Sequence, residues 1–486
     1  ERIIEEERNI ISHLEVSDVT HFYGKEKALD SISLSARRGE MICIIGPSGC
    51  GKSSLMRVMA GHLKPKEGKV LMNGLPLYSK ADILQPFISL VPHEDAYDPL
   101  LTVEENITLA TRIRSPHLRK AERDKRVESK LVELGLSERR HRLAGTMEDK
   151  TLSGGERKRL NIALDMISVS DVFLFDEPTS GLSSKDSEHV LEIIRTLAFN
   201  KIVLVTIHQP NARLFHMFHK ALLLDTGGKP VFFGRPVEML EYFREAYREE
   251  ILSVQPSADD SVLQQPVESL APDFIFDVLE TPLRDLSGDI LYEEDSRGHY
   301  APARRFTPNF WRDRFQAHRI IEEVKATRIK PEHATDASGV GAAGRAPRPP
   351  RKTLRDEATQ CIALFKRAFL SKLRNRWNLT TTLLEAPLLA ILISSVLRYS
   401  EDGGYTYLSA FHLPTYIFMN LVCGMFFGLT NSSDDIIRDR VILQRERNHR
   451  PRLTYYILAK LLSLGLFAAI QCAIYLVIGN ALLEVR

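Results

Sequence analysis

The first half of the chain alternates short apolar runs with polar, helix-like stretches. Met41–Ile45, Val172–Phe175 and Ile202–Ile207 are uninterrupted apolar runs of the length that buried strands need. Leu14–Val19 and Leu29–Leu34 alternate instead, as half-buried strands do. Residues 1–250 therefore predict an α/β domain with a β-rich beginning. Residues 251–353 lose this order. They carry scattered Pro, Gly and Asp around one expected helix, Asn309–Lys330, and the Gly/Ala/Pro-rich stretch Ala337–Arg351 predicts a flexible linker. Residues 354–486 change again. Leu354–Arg376 predicts an amphipathic basic helix. Three apolar stretches follow, Leu379–Leu397, Gly403–Ser433 (core Phe411–Leu429) and Leu461–Leu483. Each reaches the roughly 20 residues that a membrane span requires. The alternative, buried core helices of a soluble domain, fits poorly with three such runs in succession.

Composition hides this division. The 486 residues, at ~150 per domain, suggest about three units. They are 44% hydrophobic and 26% charged, values ordinary for a soluble protein, because the averages merge two unlike halves. Lys+Arg is 65 against Asp+Glu 63, a net charge of +2, which argues against a nucleic-acid partner. The five cysteines show neither metal spacing nor dense pairing, and no signal segment opens the chain. The chain begins at Glu1 rather than Met and is expected to be a fragment.

Basic residues predict the orientation. Lys366, Arg367, Lys372, Arg374 and Arg376 precede the first apolar stretch. Arg438, Arg440, Arg445, Arg447, Arg450, Arg452 and Lys460 lie between the second and third, and only Arg398 separates the first two. The excess of positive charge on the inner side puts the first 378 residues and the Arg438–Lys460 loop in the cytoplasm, and Arg486 outside. Glu385, beside Pro387 in the first stretch, is either functional or paired with Arg374 or Arg376 near the interface. Phe365, Phe369, Leu370 and Leu373 give the basic helix an apolar side, so it is expected at the membrane face rather than on nucleic acid.

Gly46-Pro47-Ser48-Gly49-Cys50-Gly51-Lys52-Ser53 carries the strongest chemical signal. It follows the strand Met41–Ile45 and precedes the helix-like Ser54–Ala60, the context of a phosphate-binding P-loop. Its glycines let backbone N–H groups approach phosphate oxygens at a helix N-terminus. Lys52 is expected on the β- and γ-phosphates and Ser53 on Mg²⁺. Asp176 and Glu177 follow the strand Val172–Phe175. Asp176 suits the Mg²⁺ shell, and Glu177 suits the base for an attacking water. His208, after Ile202–Ile207, is either a γ-phosphate contact or a structural histidine. Tyr23 is either an adenine platform or a core aromatic. Cys50 is either a small filler or a reactive thiol that nucleotide would protect.

Leu152-Ser153-Gly154-Gly155-Glu156-Arg157-Lys158-Arg159 resembles the ABC signature, and its basic tail is similar to the G subfamily of ABC transporters. The order P-loop, signature, Asp-Glu, His208-Gln-Pro210 matches that family across residues 14–243. Ala271–Val278 resembles its exit from the nucleotide domain, and Arg438–Tyr456 its coupling helix. The resemblance implies an α/β P-loop NTPase, an ABC ATPase with β-rich and helical subdomains, followed by an incomplete α-helical transmembrane domain, since family members have six spans. It implies binding of ATP and Mg²⁺ by Tyr23, the P-loop through Ser54, His93, and Ser153, Gly154, Gly155 and Glu156 of a partner. Lys52, Glu177 and His208 would carry hydrolysis. The partner is expected to be a second half-transporter chain, most simply a copy of this one. The implied function is export of a hydrophobic or amphipathic substrate from a lipid membrane, expected to be the plasma membrane. The alternative is a weakly hydrolysing or regulatory subunit, suggested by two departures: His93 where the family has Gln, and Ser183 where it has Asp.

Overall fold

The computed structural model describes residues 10–146, 148–149, 151–168, 170–208, 210–252, 261–285, 289–294, 300–329, 353–397, 413–449 and 453–483. Gln209, the expected linker Ala337–Arg351, and Lys330, Arg398, Arg450, Arg452 and Arg486 lie outside the described residues. The chain forms two compact units, Glu1–His93 with Val169–Pro350, and Glu94–Ser168 with Arg351–Arg486. The boundaries therefore cut through the 1–250 domain that the sequence suggests.

The first unit is built on two sheets. Its strands are β1 (His13–Tyr23), β2 (Glu26–Arg37), β3 (Met41–Ile45), β4 (Glu67–Met72), β5 (Leu75–Pro76), β6 (Ile88–Val91), β7 (Val172–Phe175), β8 (Ile202–Thr206), β9 (Lys220–Asp225) and β10 (Lys229–Gly234). The expected strands are all present. The antiparallel sheet runs β2-β1-β4-β5, and the larger sheet runs β10-β9-β3-β8-β7-β6. In the larger sheet β6, β7, β8, β3 and β9 are parallel, and only β10 is antiparallel, at the edge. Burial explains the composition of its centre: every residue of β3, β7 and β8 is buried, as strands covered on both faces must be.

Part of the segment expected as a linker belongs to this unit. The helix Pro308–Ile329 packs on β10 through Trp311, which is fully buried, and Phe315, whose ring lies 5.5 Å from that of Phe232. Trp311 also meets Phe243 at 5.7 Å. The helix falls where the sequence predicts one, Asn309–Lys330, and its aromatics bury enough surface to order a sparse segment.

The second unit is helical. Val103–Arg114, Lys120–Glu133 and the signature helix Gly154–Met166 join the basic helix Leu354–Arg374, the short helix Arg440–Glu446 and the long Leu453–Leu483. Arg376–Leu397 and Leu453–Leu483 are long and apolar enough to cross a membrane. The middle expected span is a helix only from Leu413 to Arg438, its earlier part lying outside the described residues, and it is not among the helices meeting that criterion. Arg374 forms a two-pronged pair with Glu105 at 2.5 and 2.9 Å, not with Glu385.

One carboxylate organises the unit. Asp165, at the end of the signature helix, takes a 2.6 Å bond from Arg114 and a 2.9 Å bond from Nε of Arg445, and both arginine side chains are almost wholly buried. Arg445 also donates to the Ala96 carbonyl at 2.9 Å and to Asn161 Oδ1 at 2.6 Å. The next residue, Glu446, accepts two bonds from Arg367 at 2.6 and 3.2 Å. Opposite charges removed from water tolerate burial when paired and well bonded, and here each guanidinium has a carboxylate partner, although Arg114 Nε has no hydrogen-bond partner among the described residues.

Replacing Trp311 by Ala is expected to destabilise the first unit by about 3–5 kcal/mol, the usual cost of emptying a buried aromatic site, read as a lower thermal midpoint by calorimetry. Asp165→Ala is expected to cost a similar ~3–5 kcal/mol in the second unit, because two buried guanidinium groups lose their counter-charge. Limited proteolysis should then cut between residues 94 and 168 well before it does in the parent protein.

Candidate active site

The P-loop leaves β3 at Ile45 and enters the helix Lys52–Met59. Two glycines make that turn possible. Gly46 has φ 155°, and a Cβ there would lie 2.2 Å from the Leu224 carbonyl oxygen. Gly51 has φ 103°, and a Cβ would lie 2.3 Å from the Ala28 oxygen. Both values are far inside van der Waals contact, so no side chain fits. Lys52 is buried and its ammonium donates to the carbonyls of Gly46 at 2.7 Å and Pro47 at 3.0 Å. Ser48 and Gly49 stand exposed at the tip, and Cys50 is buried. Burial pushes the Cys50 thiol up to about 11, the nearby Lys52 offsetting only part of the effect. Burial and this upward shift both favour the filler reading of Cys50 over the reactive-thiol one.

The neighbouring strands bring the carboxylates to the same edge. Ser53 Oγ donates to Asp176 Oδ1 at 3.2 Å. Thr206, the last residue of β8 and fully buried, donates to the same Asp176 oxygen at 2.8 Å. Its hydroxyl also accepts the N–H of Glu177 at 2.8 Å. Glu177 sits at φ 47°, a left-handed conformation that non-glycine residues adopt at a cost, so Thr206 holds a strained backbone in place. His93 Nε2 faces Glu177 Oε2 at 3.8 Å. Thr206 was invisible as a site residue in the sequence, where it read as part of an apolar strand; the signal was a hydroxyl at a strand's C-terminal end, where α/β folds gather ligands.

His208 lies exposed two residues beyond β8. Tyr23 is 48% exposed at the end of β1, and the Ser54 hydroxyl reaches its phenol at 3.4 Å. Its expected alternative as a core aromatic is corrected by that exposure. Among the described residues no group of 3 or more His, Cys, Asp or Glu could hold a metal ion unaided. A cation at Ser53 and Asp176 would thus need further oxygens, which a nucleotide's phosphates offer, and hard oxygen donors suit Mg²⁺.

Ser153, Gly154, Gly155 and Glu156 belong to the second unit. Ser153 caps the signature helix: its hydroxyl accepts the Glu156 N–H at 3.1 Å, and its own N–H donates to Glu156 at 2.8 Å. This reciprocal box, with Arg139 on Glu156 at 2.9 Å, fixes the helix start. Burial raises the Glu156 carboxyl, but the Ser153 N–H and Arg139 outweigh it and leave the group below its ordinary value. In the first unit Ser183 caps the helix Ser184–Ala198, accepting the Asp186 N–H at 3.2 Å. Serine there preserves the capping role that an aspartate would fill.

Thr206→Val keeps the shape of the strand and removes the hydroxyl from both Asp176 and Glu177. Losing a bond to a charged group costs about 1.5–3 kcal/mol, so nucleotide turnover by the purified chain is expected to fall at least tenfold in a phosphate-release assay.

The profile described as "ABC transporter" matches residues 29–180, and that described as "ABC-2 type transporter" matches residues 359–486. The chain is 37% identical over 242 residues to ABC transporter G family member 26 of Arabidopsis thaliana, covering 48% of this chain and 35% of the relative. It is 35% identical over 223 residues to ATP-binding cassette sub-family G member 8 of Homo sapiens, covering 45% and 33% respectively. With ABC transporter G family member 22 of Arabidopsis thaliana it shares 31% over 326 residues, 66% of this chain and 40% of the relative. The chain thus spans well under half the length of these relatives. It carries an ABC transporter domain followed by an ABC-2 type membrane domain, and it is similar to members of the G subfamily of ABC transporters.

Proposed function

We propose that this chain binds ATP with Mg²⁺ and hydrolyses it to drive export of a hydrophobic or amphipathic substrate across a membrane, as one half of a twofold dimer. The supporting observation is that Asp176 Oδ1 accepts from both Ser53 and Thr206, while the Thr206 hydroxyl also accepts the Glu177 N–H, so that the P-loop and the paired carboxylates meet. The P-loop N–H groups and Lys52 bind and orient the phosphates. Ser53 and Asp176 hold the cation, which when bound neutralises charge on the phosphates. Glu177 accepts the proton of the attacking water, and His208 steadies the γ-phosphate. Tyr23 offers its exposed face to adenine. Ser153, Gly154, Gly155 and Glu156 present a capped helix N-terminus to the nucleotide of the partner, and anions are favoured at such ends.

Residues 1–250 act as the nucleotide domain and 354–486 as the beginning of the membrane domain. The basic loops support a cytoplasmic position for the nucleotide domain, and we read the membrane as the plasma membrane. Binding energy drives the transition only to the extent that the closed dimer binds ATP better than the open one. The signature helix carries that change to the helix Arg440–Glu446 through the Asp165–Arg445 pair within the same unit. Retention of Lys52, Asp176 and Glu177 favours hydrolysis over a purely regulatory role.

Glu177→Gln is expected to reduce Mg²⁺-dependent ATP hydrolysis by ~10²-fold or more, while equilibrium ATP binding persists and dimers accumulate on size-exclusion chromatography. Hydrolysis unchanged by this substitution would sink the proposal.

A further inference from the structure

Residues 300–315 carry two arginines, Arg304 and Arg312, that bond to strands flanking the P-loop. Backbone bonds from Arg305 N–H to the Thr281 carbonyl at 2.8 Å, and from Ala303 N–H to the Leu291 carbonyl at 2.8 Å, hold Arg304 between two tethered neighbours. Arg304 then donates to Asp225 at 2.8 Å and to Glu280 at 2.7 Å. Asp225 is fully buried, at the end of β9. Its Oδ1 also takes the Thr226 N–H at 2.7 Å, and among the described residues Oδ2 has no hydrogen-bond partner. Arg304 is accordingly the cation that compensates this carboxylate.

Asp225 adjoins the wall of the P-loop. The carbonyl of Leu224 is the atom that crowds Gly46, and the carbonyl of Ala28 crowds both Gly51 and Gly228. The turn after β9 and the start of β2 are joined by a 3.0 Å bond from Asp30 N–H to the Gly228 carbonyl. A second arginine reaches that part of β2: Arg312 donates to Asp30 Oδ2 at 3.2 Å, while Lys27 donates to Oδ1 at 2.9 Å. Trp311, next to Arg312 in sequence, is anchored in the core.

We propose that residues 300–315 form a clamp on the nucleotide site, in which Arg304 and Arg312 hold the carboxylates of Asp225 and Asp30 and thereby fix the end of β9 and the start of β2, against which the P-loop glycines are packed. The clamp rests on the reading of the P-loop as an ATP site. Arg304 and Arg312 are positioning residues; neither is placed on the nucleotide. The strand ends they hold leave the P-loop backbone no room to shift, so its N–H groups stay pre-aligned for phosphate. Loosening either strand end lets the P-loop spread over more conformations, and binding must then restore order.

The test is calorimetric titration of the full chain, in detergent micelles, with Mg·ATP. Arg304→Ala is expected to weaken ATP binding about tenfold, Arg312→Ala by about threefold, and Arg304→Lys to recover most of the loss, because an ammonium still compensates the buried Asp225. Arg314→Ala is the control. It removes a 2.5 Å bond to Glu249 on the far side of the same helix and is expected to leave the affinity within about twofold, as exposed pairs contribute little. A parent protein that takes up no nucleotide overturns the reading of the site and the clamp with it. A parent that binds ATP while both Arg304→Ala and Arg312→Ala bind equally well overturns the clamp alone. Equal weakening by Arg314→Ala also overturns it, since that marks general loosening. If Arg304→Ala does not fold, Arg312→Ala decides: unchanged affinity rejects the clamp.

Discussion

Parallel pairing at the centre of the larger sheet sets Ile44 beside Thr206 and Phe175 beside Val205. That register makes three segments leave the sheet at one edge: the P-loop after β3, Asp176-Glu177 after β7 and Thr206 at the end of β8. None of these groups is close to another in sequence. A slip of one residue in either pairing would turn Thr206 to the opposite face and part it from Asp176. The buried strands that make the register stiff therefore position the site, although among the described residues of β3, β7 and β8 only Thr206, at the end of β8, has a side chain that bonds there.

The helical unit depends on buried charge where the sheet depends on apolar contact. Its signature helix, the helix Val103–Arg114 and the short helix Arg440–Glu446 meet at Asp165, Arg114 and Arg445. Apolar contacts there, as among Leu109, Ile113, Leu364, Tyr456 and Ala459, can slide with little penalty. An ion network with fixed bond directions cannot, because any intermediate position leaves a buried charge unpaired. Such a joint transmits displacement rather than absorbing it.

Strands β3 and β7 were legible to the residue, because long apolar runs between glycine or acidic punctuation have few other meanings. The P-loop, the paired carboxylates and the signature helix were legible as motifs. The contacts that join distant motifs were not. Thr206 carries no local mark of function, Asp165 and Arg445 are separated by 280 residues, and Arg304 lies in a segment that reads as linker. Periodicity reports the face that an element buries, and it is silent about which buried polar groups will find one another. The two departures from the family pattern fare differently in the structure. Ser183 has a plain structural use as a helix cap, while His93 stands opposite the carboxylate of Glu177.

The thiol of Cys50 lies inside the loop that grips phosphate, walled off from solvent. A pKa of about 11 leaves roughly one thiol in ten thousand ionised at pH 7. Peroxides and disulfides react with thiolates, and only where they can reach them. A turn shaped by glycines thus holds the side chain most prone to oxidation in its least reactive setting, buried and protonated.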